Sequence, residues 1–132
     1  MGGRNAQRKG LSSLLKAAPK VLQVLPTAEF LIIGDDPVIG NLKKKIAADL
    51  LNKFRFINRV PNVDMPQYYQ RASVLVMPSL VEAFGVVFLE AMASGTAVIA
   101  TNNGGTTEFI NDGENGVLIQ PEDHETLSEK II

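Results

Sequence analysis

The fold is decided by residues 74–100, which read VLVMPSLVEAFGVVFLEAMASGTAVIA. Val74 to Met77 and Ala97 to Ala100 are short, wholly apolar runs, and such runs are typical of strands buried on both faces of a sheet. Between them, a segment from about Phe84 to Ser94 has the length of a helix, and Gly95 is suited to cap its C-terminus. The stretch therefore predicts two parallel strands joined by a helical crossover.

The same alternation extends in both directions along the chain. Further strands are expected at Phe30 to Ile33, at about 54 to 57 and at Val117 to Ile119. Further helices are expected at about 10 to 25, 38 to 51 and 65 to 72, from about Thr107 as a short helix, and from near Asp123. Pro19 predicts a bend or a division of the first helix, because a proline removes one backbone hydrogen bond.

This order of elements indicates an α/β fold: a doubly wound parallel sheet in a single Rossmann-like domain over residues 1–132. Such a sheet normally opens with a strand that becomes central, yet only Met1 to Gly3 precede the first loop. The chain also stops within the helix expected from Asp123. We therefore expect a fragment or a shortened protein that lacks the first strand and the C-terminal helices.

Composition narrows the class of function. The 13 basic and 14 acidic side chains nearly balance, so no net field attracts nucleic acid or an anionic membrane. There is no cysteine, which excludes disulfides and thiolate metal sites. The longest apolar runs have the length of strands, and the N-terminus has no apolar export segment. A cytoplasmic protein is the interpretation that these observations favour.

Ligands of open parallel sheets bind beyond the carboxyl ends of the strands, which directs attention to residues 78–85. Gly85 in the first turn of the following helix would let a diphosphate approach free backbone N–H groups at the positive end of the helix dipole. Glu82 before that helix and Glu90 within it could accept hydrogen bonds from the two ends of a nucleotide sugar. Spacing alone also fits a helix-end charge and a solvated surface glutamate.

Two other loops carry candidate groups. Arg4 and Lys9 could neutralise a diphosphate, although an ordinary basic terminus has the same composition. Gly104 and Gly105 would permit close approach of the backbone to a ligand, and Thr106 or Thr107 could cap a helix; a flexible crossover is the alternative.

Several candidate groups for other chemistry are absent or unsuitable. The chain has no Asp-x-Asp triplet for a metal-diphosphate complex, and its one histidine, His124, lies in an acidic run that is typical of a surface. Asp35 and Asp36 are adjacent, which favours a role in a turn over a shared ligand. We therefore expect no metal and no cofactor.

Taken together, these loops resemble the retaining glycosyltransferases of group 1, or family 4, which have the two-Rossmann (GT-B) fold. The resemblance covers nearly the whole chain. In order, the matching motifs are Gly3-Arg4 with Lys9-Gly10, Ile33-Gly34-Asp35-Asp36-Pro37, Phe56-Ile57-Asn58-Arg59-Val60, Pro78-Ser79 with Glu82-Ala83-Phe84-Gly85, Leu89-Glu90-Ala91-Met92-Ala93, Gly95 with Val98-Ile99-Ala100, Gly104-Gly105 with Glu108, and Asn115-Gly116. Ala83 and Ala97 depart from the family pattern at positions that place no side chain on the ligand.

The resemblance implies a donor-binding C-terminal domain of a two-domain enzyme, and it implies a role for each matching residue. Glu82, Arg4 and Lys9 would be catalytic. The other implied contacts are Glu82, Ala83, Phe84 and Gly85 with the donor sugar, Glu90 with the ribose, Arg4, Lys9, Gly85 and Val86 with the diphosphate, and Val60 and Arg59 with the base.

The predicted function is therefore donor binding for transfer of a sugar from a nucleotide diphosphate sugar to a hydroxyl acceptor. The alternatives are a non-catalytic nucleotide-sugar-binding or partner module and a relative of the nucleotide-sugar epimerases. The acceptor domain would lie outside this chain, which we expect to be inactive alone. An incomplete sheet could pair with a second copy, and the full-length enzyme could lie peripherally on a membrane.

Overall fold

The computed structural model describes residues 5–132, so the predicted site residue Arg4 lies outside the described residues. This range contains five α-helices and five strands, which alternate except that a 3₁₀ turn takes the place of a helix between the last two strands. The strands are β1 (Phe30–Ile33), β2 (Phe54–Ile57), β3 (Val74–Met77), β4 (Ala97–Thr101) and β5 (Val117–Ile119). The helices are α1 (Leu11–Val24), α2 (Val38–Lys43), α3 (Met65–Arg71), α4 (Val86–Ala93) and α5 (His124–Ile131), with 3₁₀ turns at Ala48–Lys53, Asn62–Asp64 and Gly104–Glu108.

All described strand pairs are parallel, which confirms the α/β, Rossmann-like prediction. The strands form two hydrogen-bonded sheets, β1–β2 and β3–β4–β5, where the sequence predicted one. In the described part of the chain no strand pairs with a second edge of β1 or of β3. The chain passes from the first sheet to the second between β2 and β3.

Alternate residues of the strands supply two apolar cores, one on each face. Ile99 of β4 packs with α1 and α5, whereas Val98 and Ala100 pack with α3 and α4. In β3, Val74 and Val76 lie towards the first core, and Leu75 and Met77 towards the second. This alternation follows from the two-residue period of a strand, and it confirms that helices cover both faces of the β3–β4–β5 sheet.

Helix α1 is continuous through Pro19, so the predicted division into two pieces is wrong. Pro19 is exposed, and its ring therefore lies away from the buried stripe formed by the apolar residues of the helix. That stripe includes Leu11, Leu14 and Val21, each of which is fully or almost fully buried. Packing of this stripe stabilises α1 despite the hydrogen bond that the proline cannot donate.

The helix expected at 38 to 51 is replaced by α2, a turn and a 3₁₀ segment. Only Leu42 of α2 is buried, so little tertiary packing is available to extend this helix. The chain after it tightens, because the N–H groups of Lys45 and Ile46 donate to carbonyls three residues earlier. The helix expected from Thr107 is likewise a 3₁₀ turn, and it already begins at Gly104.

Candidate functional site

Helix α4 begins at Val86, two residues later than the sequence predicted. Gly85 is its N-cap residue with φ of 87°, a left-handed conformation that a residue with a Cβ rarely adopts. No side chain caps this end of the helix within the described structure. As in any α-helix, the first backbone N–H groups of α4 have no intrahelical acceptor, and they form the positive end of the helix dipole.

The C-terminus of α4 is closed as predicted, by Gly95 with φ of 81°. The N–H of Gly95 donates to Met92 at 3.0 Å and the N–H of Thr96 donates to Ala91 at 2.9 Å, the hydrogen-bond pair of a Schellman motif. Because α4 begins at Val86, Glu90 lies only a little more than one turn inside the helix. The predicted start at about Phe84 had implied nearly two turns.

Glu82 is buried in the turn before α4, with a relative exposure of 8%. Its Oε2 accepts a hydrogen bond from Lys9 Nζ at 2.6 Å, which is also an ion pair, and one from Ser79 Oγ at 3.4 Å. Lys9 retains 25% exposure. The structure thus brings together two residues that the sequence assigned to the same ligand, although 73 positions separate them.

The loop that carries Lys9 is attached directly to the loop between β3 and α4. The Leu80 N–H donates to the Arg8 carbonyl at 2.8 Å. Gly10 has φ of 79°, and a Cβ at this position would lie 1.9 Å from the Pro78 carbonyl oxygen. These two contacts fix the backbone on either side of Lys9 and hold its side chain against Glu82.

Asp36 anchors the start of the same loop, a role that the adjacent-aspartate argument missed. Its carboxylate accepts hydrogen bonds from the backbone N–H groups of Asn5 at 2.5 Å and Ala6 at 2.8 Å, and from that of Val38 at 2.8 Å. The hydrogen bonds from Val38 and Ala6 lower the pKa of Asp36 below its usual value. The predicted turn role of Asp36 is confirmed by its hydrogen bond from Val38 at the start of α2. Asp36 also binds the N-terminal loop, which the sequence interpretation did not predict.

The sequence left open whether Gly104 and Gly105 permit approach of a ligand or form a flexible crossover, and in the structure both glycines pack closely against protein backbone. Gly105 N–H donates to the Glu82 carbonyl at 3.2 Å. A Cβ would lie 2.1 Å from the Glu82 oxygen if placed on Gly104, and 2.2 Å from the Ala83 oxygen if placed on Gly105. The glycines therefore set the position of the turn that contains Glu82.

Polar side chains near this glycine pair donate hydrogen bonds to backbone carbonyls of the β3–α4 loop. Thr101 Oγ1 donates to the Ser79 carbonyl at 2.6 Å, and Asn103 Nδ2 donates to the Ser79 and Leu80 carbonyls at 2.9 Å. The Thr106 hydroxyl lies 2.7 Å from both the Thr101 and the Asn103 carbonyl oxygens and can donate its one proton to either, whereas the Thr107 hydroxyl donates to the Gly104 carbonyl. Neither side chain caps the 3₁₀ turn, so the prediction that Thr106 or Thr107 caps a helix is wrong. The network leaves the backbone of residues 79–82 little freedom to move.

A cleft of about 330 Å³ lies on the other side of α4. Glu90, Val60 and Arg59, which the sequence assigned to the ribose and base, all line it. Its walls are formed by residues from β1, the loop after β2, α3 and α4, namely Ile33, Gly34, Asp35, Arg59, Val60, Asn62, Met65, Tyr69, Val87 and Glu90. The cleft thus lies beyond the carboxyl ends of β1 and β2, where open parallel sheets bind ligands.

Tyr69, Asn62 and Met65 are cleft residues that the sequence interpretation did not identify. The Tyr69 hydroxyl donates to Glu90 Oε2 at 3.0 Å. Burial and the adjacent Glu90 carboxylate raise the pKa of Tyr69 well above its usual value. Its position on α3 gave no signal in the sequence, because one tyrosine on the buried face of a helix has the pattern of an ordinary core residue.

Other polar groups lie apart from this site. His124 begins α5, with Nε2 3.6 Å from Glu125 Oε1, and its side chain is 37% exposed, which agrees with the predicted surface position. Within residues 5–132, no group of three histidine or acidic side chains is arranged to hold a metal ion. None of the helices in that range has both the length and the apolarity needed to cross a bilayer.

Comparisons with known proteins agree on a single family. The family model described as glycosyl transferases group 1 matches residues 1–132. The chain is 34% identical over 136 residues to the GDP-mannose-dependent monoacylated alpha-(1-6)-phosphatidylinositol monomannoside mannosyltransferase of Corynebacterium glutamicum, an alignment that covers 98% of this chain and 35% of that enzyme. It is 32% identical to the 2-deoxystreptamine N-acetyl-D-glucosaminyltransferase of Niallia circulans, covering 92% of this chain and 31% of that enzyme. The chain therefore spans about a third of the length of these relatives.

Solved structures with the GT-B fold match nearly the entire chain. The C-terminal domain of a group 1 glycosyl transferase from Francisella tularensis superposes with a TM-score of 0.84 and 31% identity, covering 99% of this chain and 70% of that one. HepE of Anabaena, solved in complex with UDP-glucose, gives a TM-score of 0.83 and 26% identity, covering 98% of this chain and 37% of that one. This chain belongs to the group 1 glycosyltransferases and corresponds to the C-terminal domain of their GT-B fold.

Proposed function

We propose that this chain binds a nucleotide diphosphate sugar and forms the donor-binding half of a retaining glycosyltransferase, which transfers the sugar to a hydroxyl acceptor. One observation carries the proposal. The uncapped N-terminus of α4 lies between the Lys9–Glu82 pair and the cleft that contains Glu90. This spatial order of groups fits a ligand with a sugar at the Lys9–Glu82 pair, a diphosphate at the N-terminus of α4 and a nucleoside in the cleft.

The diphosphate is assigned to the start of α4. Its oxygens accept hydrogen bonds from the backbone of Gly85 and Val86, where the helix dipole favours negative charge. Lys9 supplies a cation beside this point, and Arg4 is proposed to supply a second. The glycosidic C–O bond breaks between the anomeric carbon and the diphosphate, and these positive groups stabilise the charge that develops on the leaving oxygen.

The donor sugar is assigned to Glu82 and to the backbone of Ala83, Phe84 and Gly85. Lys9 and Ser79 contact Oε2 of Glu82, and Oε1 can accept hydrogen bonds from sugar hydroxyls. Donor binding is also expected to turn Lys9 from Glu82 towards the diphosphate, because the diphosphate carries more negative charge than one carboxylate. Because Lys9 is still partly exposed, it has room to make this movement.

The nucleoside is assigned to the cleft beside α4. Glu90 accepts hydrogen bonds from the ribose hydroxyls, and the chain at Arg59 and Val60 contacts the base. The Corynebacterium glutamicum relative is a GDP-mannose-dependent enzyme and HepE was solved in complex with UDP-glucose, so GDP and UDP donors are the first to test.

The remaining parts of a complete reaction lie outside this domain. The acceptor and the groups that position it are proposed to come from the rest of a two-domain enzyme, since this chain spans about a third of its relatives. We propose that the reaction needs no metal or cofactor, that the enzyme is cytoplasmic, and that its full-length form can lie peripherally on a membrane. The strand edges that no described residue pairs with are proposed to permit pairing with a second copy, which light scattering across a concentration series would detect.

Calorimetric titration of the chain with UDP-, GDP- and ADP-sugars tests the proposal. We expect saturable binding of at least one donor at millimolar concentration or below. Glu82→Ala and Glu90→Ala should each weaken it by about tenfold or more, because each removes hydrogen bonds to a charged group. Glu29→Ala, which removes an exposed carboxylate before β1, is the matched control and should leave the affinity unchanged.

Failure to bind any of these donors while the chain stays folded would contradict the donor role. Binding that neither Glu82→Ala nor Glu90→Ala alters would instead favour the alternative function, a non-catalytic partner module that holds its ligand elsewhere.

A further inference from the structure

Tyr69 places a buried hydroxyl against the carboxylate of Glu90. The Tyr69 side chain belongs to the core between α3 and α4 and has a relative exposure of 5%. Glu90, in contrast, is exposed at the wall of the cleft. The hydrogen bond of 3.0 Å from Tyr69 Oη to Glu90 Oε2 is the only one from a described side chain to this carboxylate.

We propose that Tyr69 is a positioning residue for Glu90: it holds Oε2 and so directs Oε1 into the cleft to accept hydrogen bonds from the ribose hydroxyls. This inference rests on the proposed function of Glu90. A free glutamate on a helix surface samples several rotamers, and binding must select one of them at an entropic cost. A glutamate already held by Tyr69 loses less freedom when the nucleoside binds.

The protein fixes Tyr69 itself from two directions. Its ring packs with Leu75, Phe88 and Ala91, which come from β3 and α4. Its backbone carbonyl accepts a hydrogen bond from Thr96 Oγ1 at 2.5 Å, just before β4. The hydroxyl therefore has a defined position relative to α4, which is the requirement for a group that orients another side chain.

Protonation supports the direction of this hydrogen bond. Burial and the neighbouring Glu90 carboxylate raise the pKa of Tyr69, so its hydroxyl remains a donor throughout the physiological range. The carboxylate can only accept. One acceptor site of Glu90 Oε2 is therefore in use before a ligand arrives, whereas Oε1 receives no hydrogen bond from the described residues and is available to the ligand.

A purely structural role is the competing explanation, since the same bond also links α3 to α4. The two explanations differ in which ligands a Tyr69→Phe variant should lose. A structural bond would affect any ligand of the cleft, whereas positioning of Glu90 matters only for ligands that present ribose hydroxyls.

The test is calorimetric titration of UDP and GDP, each paired with its 2′,3′-dideoxy counterpart. We expect the unmodified chain to prefer the ribonucleotide by about tenfold. Tyr69→Phe should weaken binding of the ribonucleotide by about three- to tenfold and leave the dideoxy nucleotide within about twofold. Tyr68→Phe removes the same atom one position earlier on α3 and should change neither affinity.

Two further measurements keep the outcomes separate. Urea unfolding checks that Tyr69→Phe is folded, and in a Glu90→Ala background Tyr69→Phe should have no additional effect on the ribonucleotide. Equal weakening of both nucleotides, or no weakening, would overturn the positioning role while leaving the ribose assignment intact. If the unmodified chain did not distinguish the two nucleotides, the ribose assignment of Glu90 would fail, and this inference would fail with it.

Discussion

Replacement of Gly105 by alanine should displace the turn that carries Glu82. In the native structure a Cβ at this position would lie 2.2 Å from the Ala83 carbonyl oxygen and 2.5 Å from the Phe84 Cα. Both contacts are with backbone, so no flexible side chain can move aside to accommodate the methyl group. Gly105 has no left-handed backbone conformation, which makes the substitution a test of this contact alone.

The size of the effect follows from the geometry. Real Cβ atoms essentially never approach other heavy atoms more closely than 3.0 Å, so the two backbone segments must separate by about 0.8 Å. Overpacking of this kind costs about 1–3 kcal/mol of unfolding free energy. A displacement approaching 1 Å at a ligand-binding turn can also reduce activity by about 100-fold. We expect the loss of nucleotide-sugar affinity to exceed tenfold.

Gly40→Ala provides the matched control. Gly40 lies within α2, and a Cβ there would meet nothing within 4 Å. Alanine should stabilise this helix by about 0.5–1 kcal/mol and leave ligand binding unchanged. Urea unfolding and calorimetric titration would be run on both variants. A Gly105→Ala protein with native stability and native affinity would refute the reasoning that backbone contact at Gly105 sets the position of Glu82.

Three other perturbations test different parts of the structure. Lys9→Met should reduce the unfolding free energy by about 1–3 kcal/mol, because it leaves the buried Glu82 carboxylate without its cation. Glu82→Gln should cost less, since the partly exposed Lys9 side chain can reach water. Equal costs of the two variants in urea unfolding would contradict this difference. The Asp36 pKa is lowered in the folded chain, so its stabilising contribution is present above the ordinary value of 3.8 and is lost as the pH falls below it. The stability difference between the native chain and Asp36→Asn should therefore shrink on acidification, and a difference independent of pH in urea titrations would refute it. Phe88→Ala should cost about 3–5 kcal/mol by thermal or urea unfolding, because Phe88 of α4 is fully buried in the core that α4 forms with α3, β3 and β4. A loss below about 1 kcal/mol would contradict the described core.

The parts of the fold that the sequence predicted are those with a strong local signal. Val74 to Met77 and Phe30 to Ile33 are strands as expected. A wholly apolar run must be buried, and a run of only four residues is too short for a buried helix but long enough for a buried strand. Gly95 caps α4 as expected, because a left-handed C-terminal residue requires glycine. The prediction of one helix over residues 38 to 51 was wrong, because continuation of a helix there depends on tertiary packing, and only Leu42 of α2 is buried.

The part of the candidate site that was predictable is the part whose residues lie close together in the sequence. Glu82, Gly85 and Glu90 come from one continuous stretch, and their placement around α4 follows from that continuity. The contacts of Asp36 with the N-terminal loop and of Gly105 with the Glu82 turn join segments that are distant in sequence. No local pattern marks such contacts, since a turn aspartate and a loop glycine look the same whatever they touch.

The most direct test of the central claim is a ¹⁵N–¹H correlation titration of the chain with UDP- and GDP-sugars. The claim is that the nucleotide diphosphate sugar lies across the N-terminus of α4. If the donor lies there, the largest saturable shifts should occur at the amides of Gly85 and Val86, with further shifts at Val60 in the cleft. Saturable shifts confined to α5, or no shifts from a folded chain at millimolar donor, would contradict it.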